Sequence, residues 1–166
     1  MKKIAIILSV ILLLGFAACD KAPAQDDAPQ EVSSVSVQPQ TAAEWLDLLA
    51  AELPFEDNMT AVSDRAPSLY GILDEDGYTG ESALYISTMA TPEEIAVFHV
   101  DSAFSAEALT ALAEGRLARQ KESYASYAPE QVPKLDSAVV KTCGDFVIVC
   151  VCADNAKAET LLAAYA

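Results

Sequence analysis

Residues 104–127, FSAEALTALAEGRLARQKESYASY, form the longest uninterrupted run of helical spacing in the chain. Ser105 is a good N-cap, Glu107 lies near the positive end of the helix dipole, and Pro129 stops the run. Advancing about 100° per residue from Leu109 puts Leu112, Ala113, Leu117, Tyr124 and Tyr127 on one side. Glu107, Glu114, Ala118, Lys121 and Glu122 point away. Arg116 and Gln120 fall in the middle of the apolar side, where a plain surface helix carries neither. They are i, i+4 neighbours, so their side chains meet. A charge in that stripe needs a partner. Two readings stand. In the structural one, Arg116 pairs with an acid or with strand-end carbonyls, its stem packs on a sheet, and Arg116→Leu still folds. In the functional one, Arg116, Gln120, Tyr124 and Tyr127 line a groove whose guanidinium recognises a carboxylate or phosphate.

The N-terminus directs the chain out of the cytoplasm. Lys2 and Lys3 form a charged n-region, and Ile4 to Phe16 is an apolar run too short to span a bilayer unaided. Phe16-Ala17-Ala18-Cys19 resembles a bacterial lipobox, with small residues directly before a cysteine. Residues 1–18 are therefore expected to be a lipoprotein signal peptide, with Cys19 the lipid-modified mature N-terminus. An ordinary cleaved signal or a retained helix are the alternatives. Asp20 to Gln40 is rich in Ala, Pro, Gln, Asp and Ser without periodicity, as in a flexible tether. Fully extended it reaches roughly 70 Å. Residues 41–166 then form one globular domain, long enough to bury a core.

The formal net charge is −15, and the leader carries two lysines and no acid, so the remainder is more negative still. That excludes nucleic acid as a partner and argues against adsorption to anionic lipid. Membrane attachment rests on the lipid, and the remaining partner is an unknown protein or small molecule. No cofactor and no metal are expected. The Cys143, Cys150 and Cys152 spacing lacks the paired form of a zinc site, and Cys150 and Cys152 share one strand face, a poor geometry for a mutual disulfide. All three read as free thiols in apolar space. Asp74-Glu75-Asp76 before Gly77 lacks the alternation of a calcium loop. His99 is the single histidine, on a strand, with no Ser, Cys or acid tied to it by pattern.

Within the domain, Thr41-Ala42-Ala43-Glu44 has capping-box form and opens a helix that Pro54 ends. Residues 58–63 read as a short strand, 66–70 as a helical turn, 74–77 as a turn. Strands follow at 82–88 and 95–100, separated by a turn or single helical turn at Thr91-Pro92-Glu93-Glu94. After the long helix, 137–142 and 146–153 form a hairpin about Gly144-Asp145, and a helix over 157–165 closes the chain. The order strand-strand-helix-strand-strand-helix predicts an α+β fold, an antiparallel sheet of four to five strands with helices on one face. A ferredoxin-like variant is the runner-up.

From Glu94 to Val151 the residues Glu94-Ile95-Ala96-Val97-Phe98, Arg116, Gln120, Tyr124, Tyr127-Ala128-Pro129, Ala138-Val139-Val140, Gly144 and Phe146-Val147 stand together. On these the chain resembles domain of unknown function 4358, found in lipoproteins of clostridia-like Gram-positive bacteria. The resemblance extends from roughly Leu46 onward. It implies a lipid-anchored protein on the extracytoplasmic face of the cell membrane, and it implies no reaction and no catalytic residues. The expected function is thus a non-catalytic binding or interaction module. An envelope hydrolase or other enzyme, and a structural subunit of an envelope complex, are the alternatives. The direction of the His99 ring separates the first two.

Overall fold

The computed structural model describes residues 37–166. The expected signal peptide, Cys19 and nearly all of the tether lie outside the described residues. The elements are α1 (Ala42–Glu52), β1 (Thr60–Ala61), α2 (Ala66–Tyr70), β2 (Ser82–Ile86), β3 (Glu94–His99), α3 (Ala106–Tyr127), α4 (Val132–Asp136), β4 (Val139–Cys143), β5 (Phe146–Val151) and α5 (Asn155–Ala163).

Local chemistry sets most boundaries. Thr41 caps α1 by accepting from the Glu44 N–H at 3.1 Å, and Ser105 caps α3 by accepting from Ala108 N–H at 3.3 Å. Gly144, at φ 57°, takes the first central position of the two-residue β4–β5 turn, the position that needs positive φ in a type II′ hairpin. Thr91-Pro92-Glu93 is not a helical turn: Thr91 closes a bend, and Pro92 and Glu93 lead directly into β3, with Glu93 held by Lys134 and Glu94 by Arg116.

The five strands form one sheet in the order β1-β2-β3-β5-β4, every neighbouring pair antiparallel. The α+β class and the five-stranded antiparallel sheet are as the sequence predicts. The placement of all helices on one face is corrected. Trp45 and Leu49 of α1 and Ala158 and Leu162 of α5 pack with Ile95, Val97, Ile148 and Cys150. Tyr70 of α2, Leu109, Ala113 and Leu117 of α3 and Leu135 of α4 pack with Ala96, Phe98, Val147 and Val149. Successive strand residues point to opposite faces. Both faces of β3 and β5 are therefore sealed, which is why these strands are continuous apolar runs rather than alternating ones. The ferredoxin-like alternative holds in part. β3 and β4 run parallel with β5 between them, the split β-α-β unit, but β2 precedes that unit and α5 crosses to the other face.

The three thiols are free and buried in the α1/α5 layer. Burial pushes each of them up.

Candidate functional site

The start of β3 carries two adjacent acids, and strand alternation sends them to opposite faces. Glu94 enters the α3 layer and is 1% exposed. Mid-helix Arg116 meets it in a two-point grip: Nε donates at 2.8 Å to Oε1, and Nη2 donates to Oε2. The Tyr70 hydroxyl donates to Glu94 Oε1 at 2.5 Å, and Gln120 Nε2 to Oε2 at 3.3 Å. The third guanidinium nitrogen, Nη1, reaches the Leu69 carbonyl at 3.4 Å. The guanidinium also lies over the Tyr70 ring, 5.1 Å from its centroid. Burial works against the Arg116 charge, but the hydrogen bonds and charge of Glu94 outweigh it and its pKa is raised. Tyr70 is pushed well up, first by burial and then by the Glu94 charge. Arg116 is thus a charge with its own partner, 22 residues upstream, and its side chain is 14% exposed.

Glu93 enters the opposite side and is equally buried. Its carboxylate accepts from the Glu56 and Asp57 N–H groups at 2.9 and 3.0 Å, from Thr91 Oγ1 at 3.1 Å and from Lys134 Nζ at 3.0 Å. Burial opposes the Lys134 charge, yet hydrogen bonds to Glu56 and Glu93 raise its pKa on balance.

Between these acids and α3 hangs the loop Ser87–Pro92. Tyr124 donates to the Thr91 carbonyl at 2.5 Å and lies 3.1 Å from that of Met89; the Tyr127 hydroxyl is 3.4 Å from the Met89 carbonyl. From the other side Asp57 accepts from the Thr88 N–H at 3.0 Å, and the Thr88 hydroxyl first among its partners holds its carboxyl below the usual range. Held between these grips, Met89 sits at φ 75°, a left-handed conformation rare outside glycine, and is 71% exposed.

Loop, α2 and α3 enclose a cleft of about 310 Å³. Leu69, Ile86, Met89 and Tyr127 give it apolar wall; Thr91, Ser123 and Gln120 give it polar atoms. Its floor is the Glu94–Arg116 pair, and Arg65 and Arg119 also line it. The structure therefore brings together all four residues the sequence nominates: Arg116, Gln120, Tyr124 and Tyr127. Their roles divide. Arg116 and Gln120 hold Glu94, and Tyr124 holds the loop. Tyr127, 54% exposed and tilted on Tyr124 with ring centroids 4.8 Å apart, is wall. Sequence reasoning missed Glu94, Glu93, Tyr70, Arg65 and Arg119. A signal for the acids existed: a Glu-Glu pair abutting the apolar run IAVFHV sits where a buried strand begins.

His99 lies elsewhere. Its ring stands edge-on to Phe146 at 4.9 Å, in a second cavity of about 320 Å³ with Glu81 and Asp101. The Asp101 carboxylate there accepts from the N–H groups of Thr79, Gly80, Ala103 and Phe104; the Thr79 N–H first, then those of Phe104 and Ala103 and the Thr79 hydroxyl, hold its pKa down to about 2. Those bonds tie the chain at the ends of β2 and β3 and leave no pairing with the imidazole. Gly80 makes this corner possible, since a Cβ there would stand 2.4 Å from the His99 carbonyl oxygen. Among the described residues no group of three His, Cys, Asp or Glu is placed to hold a metal ion.

No curated protein and no solved structure matches the chain. A family model, Domain of unknown function (DUF4358), matches residues 51–152, which hold both buried acids, Tyr70, the whole of α3 and all five strands. On that match the chain belongs to the DUF4358 family.

Proposed function

We propose that this chain is a non-catalytic binding module, held on the extracytoplasmic face of a Gram-positive cell membrane by lipid on Cys19, with its ligand seated in the cleft between α3 and the Ser87–Pro92 loop. One observation carries the binding part. The cleft is open and mostly apolar, and the two acids that line it are already saturated by hydrogen bonds from within the protein. Glu94 takes four donors from Tyr70, Arg116 and Gln120, and Glu93 is matched by Lys134, Thr91 and two backbone N–H groups. A carboxylate so bound is a poor general base. The histidine and the thiols stand away from the cleft. A preformed apolar concavity with a few polar groups is suited to holding a small molecule.

The anchor is supported by the leader, the Ala17-Ala18-Cys19 sequence and the length of the tether. Two acyl chains hold a protein stably, whereas one does not. Two experiments test the proposal. Cells carrying wild type or Cys19→Ser are fractionated, and the anchor requires that only wild type stays with the membrane and carries lipid mass. The soluble Cys19→Ser protein is then titrated by amide NMR with small-molecule fractions of the cell envelope. Binding shifts residues 87–92 and the 116–127 segment together and leaves the added molecules chemically unchanged. Turnover of an added molecule would favour the hydrolase reading, and silence at the cleft would remove the binding one.

A further inference from the structure

The sequence contains three arginines, Arg65, Arg116 and Arg119, in a chain of net charge −15, and all three line the same cleft. They come from different elements: Arg65 from the turn before α2, Arg116 and Arg119 from successive turns of α3. Arg116 is not available to a ligand. Its Nε and Nη2 are on Glu94 and its Nη1 is on the Leu69 carbonyl. Arg65 and Arg119 make no ion pair and no side-chain hydrogen bond among the described residues, and both are exposed. Glu94 is neutralised by Arg116, and Glu93 by Lys134. A molecule entering the cleft thus meets two uncompensated guanidinium groups on a surface otherwise dominated by acids. Beside them are Leu69, Ile86, Met89 and Tyr127.

Resting on the reading of this cleft as a binding site, we propose that its ligand is an organic anion: a carboxylate or phosphate group held by Arg65 and Arg119, joined to an apolar body that packs on Met89 and Tyr127. The planar fork of arginine suits both anionic groups. The acidic remainder of the molecule repels anions generally, so the two arginines select one place for them.

The probes are phenyl phosphate and phenylacetate, set against phenethyl alcohol and phenethylammonium of matching apolar size. Each is titrated by calorimetry and amide NMR into the intact chain in detergent, at low and high salt. At least one anion is expected to bind about tenfold or more tighter than the alcohol, to weaken with salt, and to shift the cleft amides. The better of the two anions tells carboxylate from phosphate. Arg65→Gln with Arg119→Gln lowers anion affinity about tenfold or more without moving Tm, while Lys121→Gln, outside the cleft, changes nothing. The inference is overturned if alcohol or ammonium binds as well as the anions, or if the double variant keeps its anion affinity; cleft shifts in those cases leave the binding site standing. If none of the four probes touches the cleft, this inference is overturned with it, while the envelope-fraction titration still decides whether a different molecule binds there.

Discussion

Glu94 shows why a single residue governs this site. It is a fully buried carboxylate whose four donors come from α2 and α3, so it joins the sheet to both helices. Breaking a buried pair by removing one partner leaves an uncompensated charge and costs about 3–5 kcal/mol. Glu94→Ala is expected to lose that much in urea unfolding. Arg116→Leu alone is expected to lose as much, because it orphans the buried Glu94. Glu94→Leu with Arg116→Leu should recover most of the loss, and a double variant as unstable as the singles would contradict the pairing. Asp101 provides a pH prediction. Its folded pKa of about 2 lies below the usual carboxylate value of 3.8, so the stability it contributes is present above about pH 4 and is lost as pH falls toward 2. The urea midpoint of wild type relative to Asp101→Asn should hold steady above about pH 4 and converge below it; a gap unchanged down to about pH 2 would mean that the fold does not lower the Asp101 pKa.

Among the elements, the Ser87–Pro92 loop depends on α3 for its shape. Tyr124 reaches back across the cleft to two of its carbonyls, and the loop holds Met89 in a left-handed conformation that an unrestrained chain avoids. Tyr124→Phe keeps the ring in the core and removes the hydroxyl. It should cost about 1–2 kcal/mol and speed hydrogen exchange at residues 88–91 while leaving the sheet protected. Equal exchange in both proteins would show that Asp57 alone fixes the loop. The helix itself was readable in advance, since its cap, its stop and its apolar stripe are local. Which of its stripe residues touch a ligand and which touch the protein was not.

At the scale of the molecule, β3 and β5 belong to two cores at once. Trp45, the single tryptophan, reports the α1/α5 layer, packed against Phe146 and Tyr165 with ring centroids at 6.3 and 5.1 Å. Tyr70, Tyr78 and Phe98 mark the α3 layer, with Tyr70 and Phe98 centroids 4.6 Å apart. Because the two layers share their central strands, neither should survive the loss of the other. Urea transitions followed by Trp45 fluorescence and by proton NMR of the Tyr70 and Phe98 rings should coincide in midpoint. Separate midpoints would mean the layers unfold independently.

The amino-acid sequence alone determined what depends on neighbours along the chain. It specified the capped helices at Thr41 and Ser105, the Gly144-Asp145 hairpin and the antiparallel α+β class. It also marked Arg116 as a charge that needs a partner. Tertiary structure decided what depends on packing between distant segments. Glu94 meets Arg116 across 22 residues, the Arg116 Nη1 finds Leu69 across 47, and Lys134 finds Glu93 across 41. No periodicity records such distances. The same holds for the helices on both faces of the sheet, since an apolar strand reads alike whether one layer or two will cover it until the helices are placed. It holds for the cleft as well: Arg65 and Arg119 are ordinary surface arginines in the chain, and they become neighbours of one cavity because α2 and α3 pack on the same side of β3.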